Sequence, residues 1–216
     1  MKKRWKSFRF YLLSLSVVVL IDGILIAHLR RYESSVSSGL QTTEQTIRRE
    51  IRCFPIAFCG ESGLDFDFTD TWMEERSYGG ERGHEGCDII TSEDRRGIYP
   101  VVSMTDGVVE QMGWLTLGGY RIGIRSDSGV YYYYAHLESY AEGLSEGQEV
   151  SAGEFLGFVG DSGYGDEGTV GQFVTHLHVG IYVPDKNGED RAVDPWPWLE
   201  AIRESRILAV YSNPGS

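Results

Sequence analysis

From Ile98 onward the chain runs through short segments rich in β-branched and aromatic residues: IYPVVSM, GVVEQMGWL, YRIGIRS, GVYYYYAHL, EFLGFVG and HLHVGIYV. Turn residues separate them, with Asp106-Gly107, Gly118-Gly119 and Ser128-Gly129 as sharp reversal points. This spacing predicts a mainly antiparallel β-sheet. Past the N-terminal third only Trp198 to Ile207 reads as helical, and no repeat of solenoid or propeller type is present. With 41% apolar residues in 216, the chain can bury one full core, for which about 160 residues remain once the N-terminus is set aside.

The N-terminus has a different composition. Phe10 to Ala27 is an 18-residue, mostly apolar run preceded by Lys2, Lys3, Arg4, Lys6 and Arg9. That is close to the minimum for a membrane-spanning helix, and the basic residues before it place the N-terminus in the cytoplasm. Asp22 lies past the midpoint, where a carboxylate costs less than at the centre. Leu25-Ile26-Ala27 has the wrong first residue for an A-x-A cleavage site, which favours an uncleaved anchor. The expectation is a cytoplasmic tail and transmembrane anchor over residues 1–31, a polar stalk over 32–52 with a short helix from Thr43, one domain over 53–210 outside the membrane, and a tail over 211–216.

Charge limits the partners. Of 20 Lys and Arg and 32 Asp and Glu, seven and one fall in residues 1–31, which leaves the remainder at a formal −18. Such a domain does not bind nucleic acid or anionic polymers through bulk charge, so its recognition must be local, in a groove.

Four of the five histidines fall in three clusters: His84 with Asp88 in RGHEGCDI, His136 in YYYYAHLES, and His176 with His178 in THLHVGIY. Catalytic zinc takes three protein ligands from His, Asp, Glu and Cys and keeps a position for water. On a strand, alternation sends His176 and His178 to one face and Leu177 and Val179 to the core. The same parity groups Tyr132, Tyr134 and His136 against Tyr131, Tyr133, Ala135 and Leu137. It also turns Cys87 away from Asp88, as a small buried residue. The tyrosine run reads as strand filler, with Tyr132 or Tyr134 as the groove-lining option. Cys53 and Cys59 bracket FPIAF and could close a small loop in an oxidising compartment.

These residues resemble the lysostaphin/LytM-type zinc metallopeptidases, which cut peptide bonds in bacterial peptidoglycan. The likeness runs from about Tyr78 to Trp198 and includes TDGVVEQMGW, GGYRIGIR, YAHL, GQEVSAGEFLGFVGDSG and VDP at 193–195. It implies an antiparallel peptidase domain with lipoyl-hybrid-type hairpins and one zinc per chain held by His84, Asp88 and His178. It further implies that His136 and His176 assist proton transfer, and that Tyr78 stabilises the oxyanion. Peptidoglycan peptide is the implied substrate, the membrane is a partner through the N-terminal helix, and a regulatory envelope protein is a further partner to expect.

A biotinyl or lipoyl carrier is excluded, because the only lysine beyond the N-terminus, Lys186, is far from the hairpin tip at Gly160 to Gly163. Two rivals remain: an envelope scaffold that binds a partner without catalysis, and a zinc hydrolase acting on a free peptide or secreted protein.

Overall fold

The computed structural model describes residue 22 and residues 24–31, 42–58 and 64–210. The apolar run from Phe10 to Ala27 lies mostly outside these residues, as do most of the stalk, Cys59 and the tail over 211–216. Among the described residues no helix is long and apolar enough to cross a membrane, so the expected anchor has no structural support. Residues 24–31 and 42–50 are helical. Thr46 to Ser216 form one compact unit, and Ile47 and Ile51 are buried in its core although they fall in the segment read as polar stalk. Their apolar side chains four residues apart lie on one helical face, a signal that the surrounding polar residues obscure.

The domain is mainly antiparallel β, as the segment spacing predicts. Its strands are β1 (Phe66–Asp67), β2 (Glu75–Arg76), β3 (Arg82–Gly83), β4 (Cys87–Thr91), β5 (Pro100–Val102), β6 (Gly107–Leu115), β7 (Gly119–Arg125), β8 (Tyr131–Tyr140), β9 (Glu149–Val150), β10 (Phe155–Val159), β11 (His176–Pro184) and β12 (Asp190–Val193). The main sheet is ordered β1-β4-β11-β8-β7-β6-β9; β12 pairs with β11, and β10 pairs with β8 and β5. β2 and β3 form a separate hairpin.

One face of this sheet makes the core. Cys87, Ile89, Ile122, Ile124, Tyr132, Tyr134, Leu137, Leu177, Val179 and Ile181 are all fully buried; each aliphatic side chain contributes about 1.5–3 kcal/mol by leaving water. Buried tyrosines need partners for their hydroxyls. Tyr132 donates to Glu50 at 2.9 Å, and Tyr134 accepts the Met104 N–H at 2.8 Å.

The tyrosine faces are therefore the reverse of the groove-lining expectation, because Tyr132 and Tyr134 are core and Tyr131 and Tyr133 face the groove. His136 does not stay with Tyr132 and Tyr134 either. It has φ +61°, and the register slips here, Tyr120 pairing with Leu137 but Ile122 with Tyr134. The extra residue is a β-bulge that breaks side-chain alternation and swings the imidazole to the groove face.

The C-terminal helix spans Trp196–Ala201, shorter than the expected Trp198 to Ile207. Beyond it the backbone is recruited by the N-terminal edge of the domain: Phe54 N–H donates to Ser205 and Phe58 N–H to Ile207.

Candidate metal centre

β11 lies between β4 and β8, with His178 opposite Asp88 on one side and Ala135 on the other. Alternation puts His178 and Asp88 on the groove face, and the bend before β4 brings His84 to them. Three donor atoms converge. His178 Nδ1 is 2.9 Å from Asp88 Oδ1, His84 Nε2 is 3.0 Å from His178 Nδ1, and His84 Nε2 is 3.1 Å from Asp88 Oδ1. Tetrahedral ligands about 2.0–2.2 Å from a common ion stand roughly 3.3 Å apart, so a shift of a few tenths of an ångström seats one. Two ring nitrogens facing each other beside a carboxylate suit a cation better than a hydrogen bond. Among the described residues this trio is the group that could hold a metal ion.

The rings are oriented from behind. His84 Nδ1 lies 3.0 Å from Thr71 Oγ1 and 3.1 Å from both the Thr71 carbonyl and Arg76 Nη2; in the tautomer that donates to the Thr71 carbonyl, Nε2 is left bare. Burial alone would raise the Asp88 carboxyl, but the imidazoles of His178 and His84 beside it outweigh burial and hold the group well below the carboxylate range. Asp88 stays an anion. Its outer oxygen, Oδ2, accepts from Arg76 Nη2 at 2.9 Å.

His136 and His176 flank the trio. His136 donates Nδ1–H to the Ser162 carbonyl at 2.7 Å, and His176 donates Nδ1–H to the Val174 carbonyl at 2.8 Å. Each ring then presents a bare Nε2, that of His176 lying 3.8 Å from Asp88 Oδ1. The two rings are 4.6 Å apart by centroid, and burial pushes both pKa values down, so both are neutral. Phe173 packs on both, at 4.6 and 5.0 Å, and lines an open cleft of about 470 Å³ with Asp94, Arg96, Glu138, Asp161 and Thr175.

The model of Peptidase family M23 matches residues 82–195, more than half of the chain. The chain belongs to peptidase family M23. It is 45% identical over 137 residues to the L-Ala--D-Glu endopeptidase of Bacillus subtilis, an alignment covering 63% of this chain and 40% of that one. Over 120 residues it is 30% identical to the glycyl-glycine endopeptidase ALE-1 of Staphylococcus capitis, covering 55% and 29%. A solved structure of a candidate glycyl-glycine endopeptidase lytM from Ruminococcus gnavus superposes with a TM-score of 0.69 at 51% identity, covering 76% of this chain and 65% of that one. The chain thus spans well under half the length of the curated relatives it matches.

All five of the groups expected from the three clusters meet in this M23 domain. Tyr78 stands apart, half exposed in the turn between β2 and β3. Its ring stacks on Tyr164 at 4.3 Å, its hydroxyl donates to the Tyr164 carbonyl, and Tyr164 touches His136 at 6.1 Å. Thr71, Arg76, Tyr164 and Phe173 were not singled out by the sequence motifs. Thr71 and Arg76 even precede the segment matched by the family model. Cys87 is fully buried, facing away from Asp88 toward the Thr69 carbonyl.

Proposed function

We propose that this chain is a zinc-dependent endopeptidase that hydrolyses peptide bonds in the stem or cross-bridge of bacterial peptidoglycan, held outside the cell membrane by its N-terminal apolar run. The observation that carries this reading is the convergence of His84 Nε2, Asp88 Oδ1 and His178 Nδ1 beside two neutral imidazoles with bare Nε2 atoms. The names of two relatives, an L-Ala--D-Glu and a glycyl-glycine endopeptidase, support the substrate class. Phe10 to Ala27 supports the anchor.

His84, Asp88 and His178 would hold one zinc per chain. Zinc supplies Lewis acidity, lowering the pKa of water and polarising a carbonyl. The protein's own contribution is positional. His136 and His176, fixed by Ser162 and Val174, take a proton at Nε2 from the attacking water and return it to the leaving amine. Burial suits them to this, since a ring neutral at pH 7 is ready to accept. Tyr78 can donate to the developing oxyanion once its hydroxyl leaves the Tyr164 carbonyl.

The test uses the full chain on purified peptidoglycan. It should carry about one zinc and release new amino termini, while His136→Ala and His176→Ala keep the metal and release none. Wild type without zinc, or equal release by the variants, refutes the reading; the latter favours the scaffold.

A further inference from the structure

We infer that Arg121 is a carboxylate-recognition site in the groove, so that the peptide taken there carries an acidic group within two residues of the scissile bond. This rests on the proposed endopeptidase reading. β7 places Arg121 and Arg125 on the same face as Tyr131 and Tyr133, and the two arginines are treated differently. Arg125 is saturated: it donates to both carboxylate oxygens of Glu110, to both of Asp190, and to the Gly129 carbonyl. Arg121 has Nε and Nη1 shut off from solvent with no hydrogen-bond partner. Buried donors are almost always satisfied, so an orphan pair needs a reason. The protein does not lack carboxylates, with 32 Asp and Glu, yet supplies none here.

Tyrosine side chains surround Arg121. The Tyr133 hydroxyl lies over Gly118 and the Tyr131 hydroxyl over Gly123, positions where any Cβ would collide with them. The two glycines bracket Arg121 along the strand. Tyr182 closes the floor, 6.1 Å from Tyr131 and 6.4 Å from Tyr133 by ring centroid, and Tyr133 reaches His178 at 5.9 Å. Burial raises the phenols of Tyr131 and Tyr133, and the Arg121 charge works against that rise, as it must if the guanidinium is beside them. Among the described residues none of these three hydroxyls has a hydrogen-bond partner.

The register fixes the distance from the chemistry. Arg121 lies across from the bulge at Ala135 and His136, and Ala135 pairs with His178. Two strand spacings, about 10 Å, separate β7 from β11, and the arginine's own length covers part of that. An extended peptide crossing the metal centre therefore presents a carboxylate to Arg121 from a residue one or two removed from the cleaved bond. A guanidinium fork takes a carboxylate through two parallel N–H donors, Nη2 with either Nε or Nη1, as Arg125 does toward Glu110 and Asp190, so a carboxylate at Arg121 takes Nη2 together with one of the two orphaned atoms.

The test compares a stem peptide containing L-Ala–D-Glu with counterparts in which one or other glutamate carboxylate is a carboxamide, on the zinc-loaded full chain. Wild type should prefer a free carboxylate by about tenfold to a hundredfold in kcat/KM, as expected for hydrogen bonds to a charged group, and the two amides tell which carboxylate is read. In Arg121→Gln the carboxylate-to-carboxamide ratio should collapse toward one; Arg121→Lys, keeping charge without the fork, should fall between. Equal kcat/KM for carboxylate and carboxamide in wild type overturns the inference, as does a ratio unchanged in Arg121→Gln. Equilibrium binding of the same peptides is measured alongside. If nothing is cut, the endopeptidase reading fails, and a binding preference lost in Arg121→Gln still upholds the carboxylate site while its absence overturns it.

Discussion

Gly86 is the residue whose replacement tests the metal centre most directly. An alanine Cβ there would lie 2.5 Å from His178 Nε2 and 2.8 Å from the Val179 carbonyl oxygen. Gly86 is not among the residues with positive φ, so the position demands space rather than backbone freedom. To restore an ordinary 3.4 Å contact the His178 ring must retreat by about 1 Å. Its Nδ1 now lies 2.9 Å from Asp88 Oδ1 and 3.0 Å from His84 Nε2, and a retreat of that size takes it out of the triad. Crowding of this kind costs about 1–3 kcal/mol in fold stability. Misaligning a ligand itself should weaken zinc by at least the 10–100-fold seen when outer-shell partners are lost. Competition for zinc with a chromophoric chelator reads the affinity, and thermal unfolding of metal-free protein reads the stability. A Gly86→Ala protein binding zinc within about threefold of wild type would refute the assignment of His178 as a ligand.

Arg76→Gln removes the donor to Asp88 Oδ2 and should lower zinc affinity about 10–100-fold; unchanged affinity in the same competition assay would show the contact to be incidental. His136 and His176 have pKa values pushed below their ordinary 6.5 by burial. The unfolded chain therefore binds protons at these positions at a higher pH than the folded one. Stability of the metal-free protein should fall as pH drops below about 6.5, and urea unfolding that is flat or improves between about pH 7.5 and pH 5.5 contradicts this. Burial pushes the Cys53 thiol up to about 11 and the Cys87 thiol to about 12. Both should resist iodoacetamide in the native protein and react on unfolding; mass spectrometry showing rapid native labelling at either would refute their burial.

Where side-chain alternation runs undisturbed, the sequence was a sufficient guide. Leu177 and Val179 are core while His176 and His178 face the groove, and Cys87 turns from Asp88, because strand geometry leaves no other choice. It failed at β8, since nothing in YYYYAHL marks a bulge, and one left-handed residue exchanged the expected neighbours of His136. The hidden parts of the site are of another kind. The Thr71, Ser162 and Val174 carbonyls orient imidazoles, and every residue type carries a carbonyl, so composition cannot mark them. Arg76 and Arg121 look like any surface arginine until the fold shows one bound to the outer oxygen of Asp88 and the other to nothing. Ile47 and Ile51 were masked by the polar residues around them.

The bulge at His136 sets two demands against each other at one residue. A non-glycine residue at φ +61° costs on the order of 1–3 kcal/mol unless its surroundings hold it there, and glycine or asparagine adopts that conformation more readily. Variants at position 136 selected for thermal stability alone should therefore drift toward those two residues. Selection for turnover should hold it at histidine. On the proposed mechanism, the position is a place where the protein gives up resilience to aim a base, and comparing the two selections would measure how much.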